Sequence, residues 1–211
     1  MFDSIMVLEN YWEKDILEDT SNETSVKKFF EGFAELYNLK FYFKYFSDEK
    51  DIRHWINLYE KINTKPKLLY IAAHGAKGRI DGTHKSINLS TFIKLLKRKK
   101  YINYLMLGSC FVGNDSNLIK ILKSNKNLLW VAGYENSIPW IDSTVFDVLF
   151  LSRILNKPWR KKYNTIVRNI IQKEFVDFAG SMGFLFAFRK KGSNDIQILR
   201  PENPEEFIDY F

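Results

Sequence analysis

Cys110 is the only cysteine in this chain of 211 residues, and it follows an apolar run, Ile102-Asn103-Tyr104-Leu105-Met106-Leu107, through Gly108-Ser109. His74-Gly75 stands in the same relation to a second run, Leu68-Leu69-Tyr70-Ile71-Ala72-Ala73. A thiol and an imidazole are the working parts of a cysteine nucleophile. The imidazole takes the thiol proton and leaves a thiolate able to attack a carbonyl carbon. Gly75 has no side chain to shield its N–H, so that group and the N–H of Cys110 are candidates to hold a tetrahedral oxyanion.

A lone cysteine is more often a small core hydrophobe. Against that reading, Gly108-Ser109 turns the strand before Cys110, and Phe111-Val112-Gly113-Asn114-Asp115 leads into a helix. Helical N–H groups near the thiol would favour the thiolate. His54 lies beside Trp55 on a helical segment and reads as structural; His84 is a secondary candidate for the base.

Other chemistries fit less well. Ala179-Gly180-Ser181-Met182-Gly183 leads from a helix into a strand, the reverse of a serine nucleophile elbow, and every histidine precedes Ser181. Gly75-Ala76-Lys77-Gly78 is too short for a phosphate-binding loop and lacks its Lys-Ser/Thr ending. One cysteine cannot build a thiolate zinc cage, and no His/Asp/Glu grouping has metal-ligand spacing. Neither metal nor cofactor is implied.

The elements that must position His74 and Cys110 alternate regularly between strand-like and helix-like segments, the pattern of an α/β fold. Strands are expected near 4–8, 39–46, 68–73, 102–107, 128–132, 183–188 and 196–199, with that at 39–46 at or near an edge because lysines alternate with its aromatics. Helices are expected near 24–37, 47–59, 90–99, 115–123, 142–155 and 159–177. That at 142–155 is apolar almost all round and reads as buried. A hairpin is expected around Asp81-Gly82, and a loop from Gly133 through Pro139. The acidic, aromatic end of the chain reads as peripheral. In such a sheet, reactive groups gather beyond the carboxyl ends of the parallel strands. A His and a Cys that each follow one can therefore face each other.

The size suits one domain over 1–211. The apolar runs fall far short of the ~18 residues of a membrane span, and the start lacks the features of a signal peptide, so a cytoplasmic protein is expected. Net charge is +7, with basic clusters at Lys94, Lys97, Arg98, Lys99, Lys100 and at Arg160, Lys161, Lys162. Both lie on the polar sides of amphipathic segments, so nucleic acid is not the expected partner.

The run into His74-Gly75, then a hairpin and a helix, then the run into Gly-Ser-Cys110, resembles the caspase-like (clan CD) cysteine peptidases, closest to their bacterial CHAT-type branch. The resemblance covers roughly residues 3–190, with its specific part in the two short motifs. It implies a three-layer α/β sandwich with a mainly parallel, roughly six-stranded sheet flanked by helices. It also implies a catalytic dyad of His74 and Cys110, with oxyanion donors on the backbones of Gly75 and Cys110. The chain departs from the family in its His74-to-Cys110 interval of 36 residues, shorter than the caspase interval of roughly 50, and in two motif positions. Gly-Ser-Cys110-Phe-Val replaces the caspase Gln-Ala-Cys-Arg-Gly, and Gly108 stands where metacaspases have an aspartate.

The function expected from this resemblance is endopeptidase cleavage of a protein substrate, controlled by a sensor or partner protein, as in antiphage or cell-death pathways. Two other classes stand beside it: a non-catalytic interaction module of the same fold, and a basic α/β nucleic-acid-binding domain. Three acids fall at or near strand ends where a primary specificity pocket would form: Glu9, Glu135 and Asp142. With no arginine in a matching place, they point to cleavage after Arg or Lys.

Overall fold

The computed structural model describes residues 2–10, 25–156, 163–190 and 195–201. Five parallel strands form one contiguous run of the sheet: β1 (Ser4–Asn10), β2 (Lys40–Phe46), β3 (Lys67–Ala72), β7 (Ile102–Gly108) and β8 (Trp130–Tyr134). Between β3 and β7 a small sheet forms from β4 (Gly75–Ala76), β5 (Arg79–Ile80) and β6 (Ile87–Asn88). β9 (Phe184–Arg189) and β10 (Ile196–Leu199) complete the main sheet antiparallel, giving the order β10-β9-β8-β7-β3-β1-β2. The sheet therefore has seven strands rather than about six, because Ile196–Leu199 joins it at one edge. β2 is the other edge, as its alternating lysines required.

Side chains alternate between two cores along each strand. Leu68, Tyr70 and Ala72 of β3 face one layer, and Leu69, Ile71 and Ala73 the other. The first layer holds α1 (Lys27–Leu36), α5 (Trp140–Asn156), α6 (Tyr163–Asn169) and α7 (Val176–Ser181). The second holds α2 (Glu49–Lys61), α3 (Leu89–Leu96) and α4 (Asp115–Ser124). This is the three-layer sandwich that the resemblance implies, with each helix burying one apolar stripe.

Local chemistry starts two of these helices. Asp48 caps α2 by accepting from the Lys50 and Asp51 amides, and Asn114 caps α4 by accepting from Asn117. Four expectations need correction. α5 is one-sided rather than buried all round, since Ile141, Asp142, Leu149 and Arg153 are exposed. Gly133 does not begin a loop, because it and Tyr134 still pair with β9. The tight hairpin turn is Lys77-Gly78, where Gly78 takes φ +82°, and Asp81-Gly82 belongs to a longer loop between β5 and β6. The last long helix is broken by a π-helical turn at Ile170–Glu174. The start expected for that helix near 159, the cluster at Arg160–Lys162 and the chain's end beyond 201 lie outside the described residues.

Candidate active site

β3 and β7 are neighbours in the sheet, and their last aligned pair is Ala72 with Gly108. The Ala73 amide still reaches the Gly108 carbonyl at 3.5 Å. His74 and Cys110 each stand two residues beyond that last pair. Gly75 marks a close approach between the two segments. A Cβ on Gly75 would lie 2.5 Å from the Cys110 carbonyl oxygen and 2.8 Å from Val112 Cγ2, so only a residue without a side chain fits against the cysteine backbone. The amide of Asp81 donates to the His74 carbonyl at 2.9 Å, and Gly75 is paired with Ile80. Bonded and non-bonded pairs alternate along an antiparallel ladder, so the Gly75 N–H is turned away from β5.

Cys110 is half-buried, and the Ile138 amide points at its sulfur from 3.4 Å. The N–H aimed at the sulfur comes from the loop between β8 and α5, not from α4 as the sequence suggested. Phe111, next in the chain, has φ +60° and is 41% exposed. A bulky side chain in the left-handed region is a strained state that surrounding contacts must hold. Here the Phe111 amide donates to the Asn136 carbonyl at 3.3 Å, and Gly113 donates to Tyr134 at 2.9 Å. Asn114 Nδ2 donates to the Phe111 carbonyl at 3.3 Å. The turn that carries the thiol is thus laced to the next strand's loop.

The three histidines separate clearly. His74 is exposed at the end of β3. His84 is exposed on the loop between β5 and β6, with its amide bonded to the Ser47 carbonyl just past β2. That edge strand is separated from β3 by β1. His54 is exposed on α2 with its ring 4.7 Å from that of Trp55.

Of the three acids, Glu9 lies deepest. It is fully buried, accepting from Ser25 Oγ at 2.5 Å and from the Val26 amide at 2.9 Å. It anchors the start of α1, which has no side-chain cap of its own. Expected at a substrate pocket, Glu9 is placed by the structure beneath the surface, with its carboxylate bonded at the start of α1. Glu135 is half-buried just beyond β8, on the loop that touches Cys110, and its amide donates to the Gly183 carbonyl at 3.0 Å. Asp142 is exposed in the first turn of α5.

A fourth acid escaped the sequence reading. Asp147 of α5 is fully buried and accepts from Tyr70 Oη at 2.6 Å and from Tyr134 Oη. Burial pushes its carboxyl up to about 7, against the opposing pull of the two hydroxyls, and burial also pushes both phenols up. The signal was present in the sequence: a lone aspartate within Val145-Phe146-Asp147-Val148-Leu149-Phe150. Among the described residues no group of three His, Cys, Asp or Glu could hold a metal ion, and no helix is long and apolar enough to cross a membrane.

No protein-family model matches the chain, and no curated protein matches it either. Solved structures do. A secreted C11 cysteine protease from Bacteroides thetaiotaomicron, in complex with an irreversible peptide inhibitor, matches with a TM-score of 0.54 at 9% identity. The match covers 89% of this chain and 66% of that one, so the chain spans just under two thirds of that protease's length. Caspase-1 from Spodoptera frugiperda matches with a TM-score of 0.53 at 10% identity, over 94% of this chain and 86% of its own. At such identities the likeness is one of fold, and the fold is that of the caspase-like cysteine proteases.

Proposed function

We propose that this protein is a cysteine endopeptidase in which His74 and Cys110 act as a dyad, of the CHAT-type branch that its two motifs resemble. The observation that carries the reading is the shared register of β3 and β7, with Gly75 fitted against the Cys110 backbone. The imidazole of His74 takes the Cys110 proton, and the sulfur attacks the scissile carbonyl carbon. The oxyanion so formed is held by the N–H groups of Gly75 and Cys110. Collapse of the tetrahedral intermediate breaks the C–N bond, and His74 returns the proton to the leaving amine. Water, deprotonated by His74, then hydrolyses the thioester and restores the thiol.

Glu135 and Asp142 supply negative charge on or beside the loop that touches the sulfur, so the residue before the scissile bond is Arg or Lys. Control by a sensor or partner protein belongs to the same reading.

Two experiments test it. Because Cys110 is the only thiol, alkylation of the native protein reports on it alone. Cys110→Ala is expected to abolish cleavage while the fold is retained, and cleavage persisting in that variant would sink the proposal. A peptide library is expected to show preference for a basic residue before the cut; preference for Asp or for a small apolar residue would refute the pocket and leave the dyad standing.

A further inference from the structure

The strand that leads to Cys110 is bridged from below by one buried carboxylate. β7 lies between β3 and β8, and the two tyrosines that donate to Asp147 come from those flanking strands. The bridge passes Gly108, since a Cβ on that residue would lie 2.2 Å from the Tyr70 hydroxyl oxygen. Leu107 is paired with Gly133, so Tyr134 stands level with Gly108 from the other side. Gly108 is therefore the gap through which Tyr70 reaches Asp147. It is also the last residue of β7 before the turn to Cys110.

Aromatic rings pack around the bridge. The Phe30 ring of α1 packs 4.3 Å from that of Tyr70, and Phe146 and Phe150 flank Asp147 on α5. The Tyr134 hydroxyl also meets the Ser143 carbonyl of α5 at 3.4 Å. On β1, Glu9 acts on Tyr70 through space. No cation is hydrogen-bonded or ion-paired to Asp147 among the described residues. A carboxylate held by two hydroxyls alone costs desolvation that an apolar trio of similar size would avoid. What the arrangement supplies instead is geometry. Two hydroxyls on the two oxygens of one planar group fix β3 and β8 to α5, and the ladders carry that constraint to β7. Reacting groups displaced by about 1 Å can lose about a hundredfold in rate.

We propose that Asp147 is a positioning residue for the His74–Cys110 pair, setting through Tyr70 and Tyr134 the spacing of the strand ends that carry them. The inference rests on the dyad reading above.

The test is a double-mutant cycle between Asp147 and His74, read as the rate of Cys110 alkylation by iodoacetamide in the intact protein near pH 7. His74→Ala is expected to slow alkylation about tenfold or more in the otherwise native chain. In the Asp147→Asn background the same change should slow it less than about threefold, because the imidazole is no longer aligned with the sulfur. Tyr70→Phe and Tyr134→Phe should each reduce the His74 effect part of the way. They keep the test decisive should Asp147→Asn fail to fold. Thermal unfolding of each variant separates the outcomes, since an unfolded chain exposes Cys110 and reacts as a free thiol whatever stands at 74. An undiminished His74 effect in folded Asp147 or tyrosine variants overturns the assignment and leaves the dyad intact. If His74→Ala has no effect in the otherwise native chain, the dyad itself fails, and the positioning role with it.

Discussion

The two ends of the parallel strands both bury polar groups, and they do so to different ends. At the amino ends, Ser4 Oγ lies 3.0 Å from Tyr59 Oη and 2.8 Å from Thr64 Oγ1, and the Tyr59 hydroxyl donates to the Leu68 carbonyl at 3.0 Å. Lys67, fully buried, donates to the carbonyls of Tyr59 and Glu60 at the last turn of α2. A cation there meets the negative end of the helix dipole, although burial still pulls the ammonium pKa down. These interactions close on the backbone or on one another. At the carboxyl ends the pattern is reversed. His74 is exposed, Cys110 is half-buried, Phe111 is strained, and two acids, Glu9 and Asp147, lie buried with hydroxyl groups donating to them. Burial of polar groups alone does not mark a site. Its conjunction with strain and with reactive groups at the surface does.

If that division is right, substitutions at the two ends separate activity from stability. The largest effect is expected from His74→Ala, which should lower turnover about a hundredfold or more with little change in the unfolding midpoint. His84→Ala and His54→Ala should keep most activity. A dead His84 variant with unchanged folding would move the base to the wrong side of β1 and undo the comparison. Next comes Lys67→Met, which removes the ammonium from both α2 carbonyls and leaves Tyr59 with the Ile62 amide alone. It should cost about 1–3 kcal/mol in urea unfolding, while the native-state alkylation rate of Cys110 stays as it was. A change in that rate would mean that the amino end is coupled to the site.

The third expected effect is a slope. Folding raises the Asp147 pKa from 3.8 to about 7, so between those values the folded protein keeps a proton that the unfolded chain has released. The stability contributed is complete below about pH 4 and is lost as pH rises through about 7. Asp147→Asn should flatten that part of the curve of unfolding midpoint against pH. An unchanged slope would mean that the carboxyl is ionised throughout the range.

Much of this was legible residue by residue. Strand and helix periods located the elements near their observed places, since each period follows from backbone geometry within a few residues. The order of each apolar run and the reactive residue after it was legible too. The bonds that hold Glu9 were not legible because Ser25 and Val26 follow a stretch with no strand or helix pattern to say where it returns. Asp147 was missed because a charge inside an apolar helix has no meaning until its partners are known.

From its sequence alone, then, this chain determines an α/β sandwich, an aromatic edge strand alternating with lysines, and a histidine and a cysteine that each follow a buried strand. Tertiary structure alone decided that β3 and β7 are neighbours aligned at Ala72 and Gly108, that the sulfur meets Ile138, and that Asp147 bridges Tyr70 and Tyr134. The physical reason is range. Periodicity is written by neighbours along the chain, whereas strand order and the partner of a buried polar atom are settled by packing between segments far apart in sequence, as with Tyr70 and Asp147, separated by 77 positions.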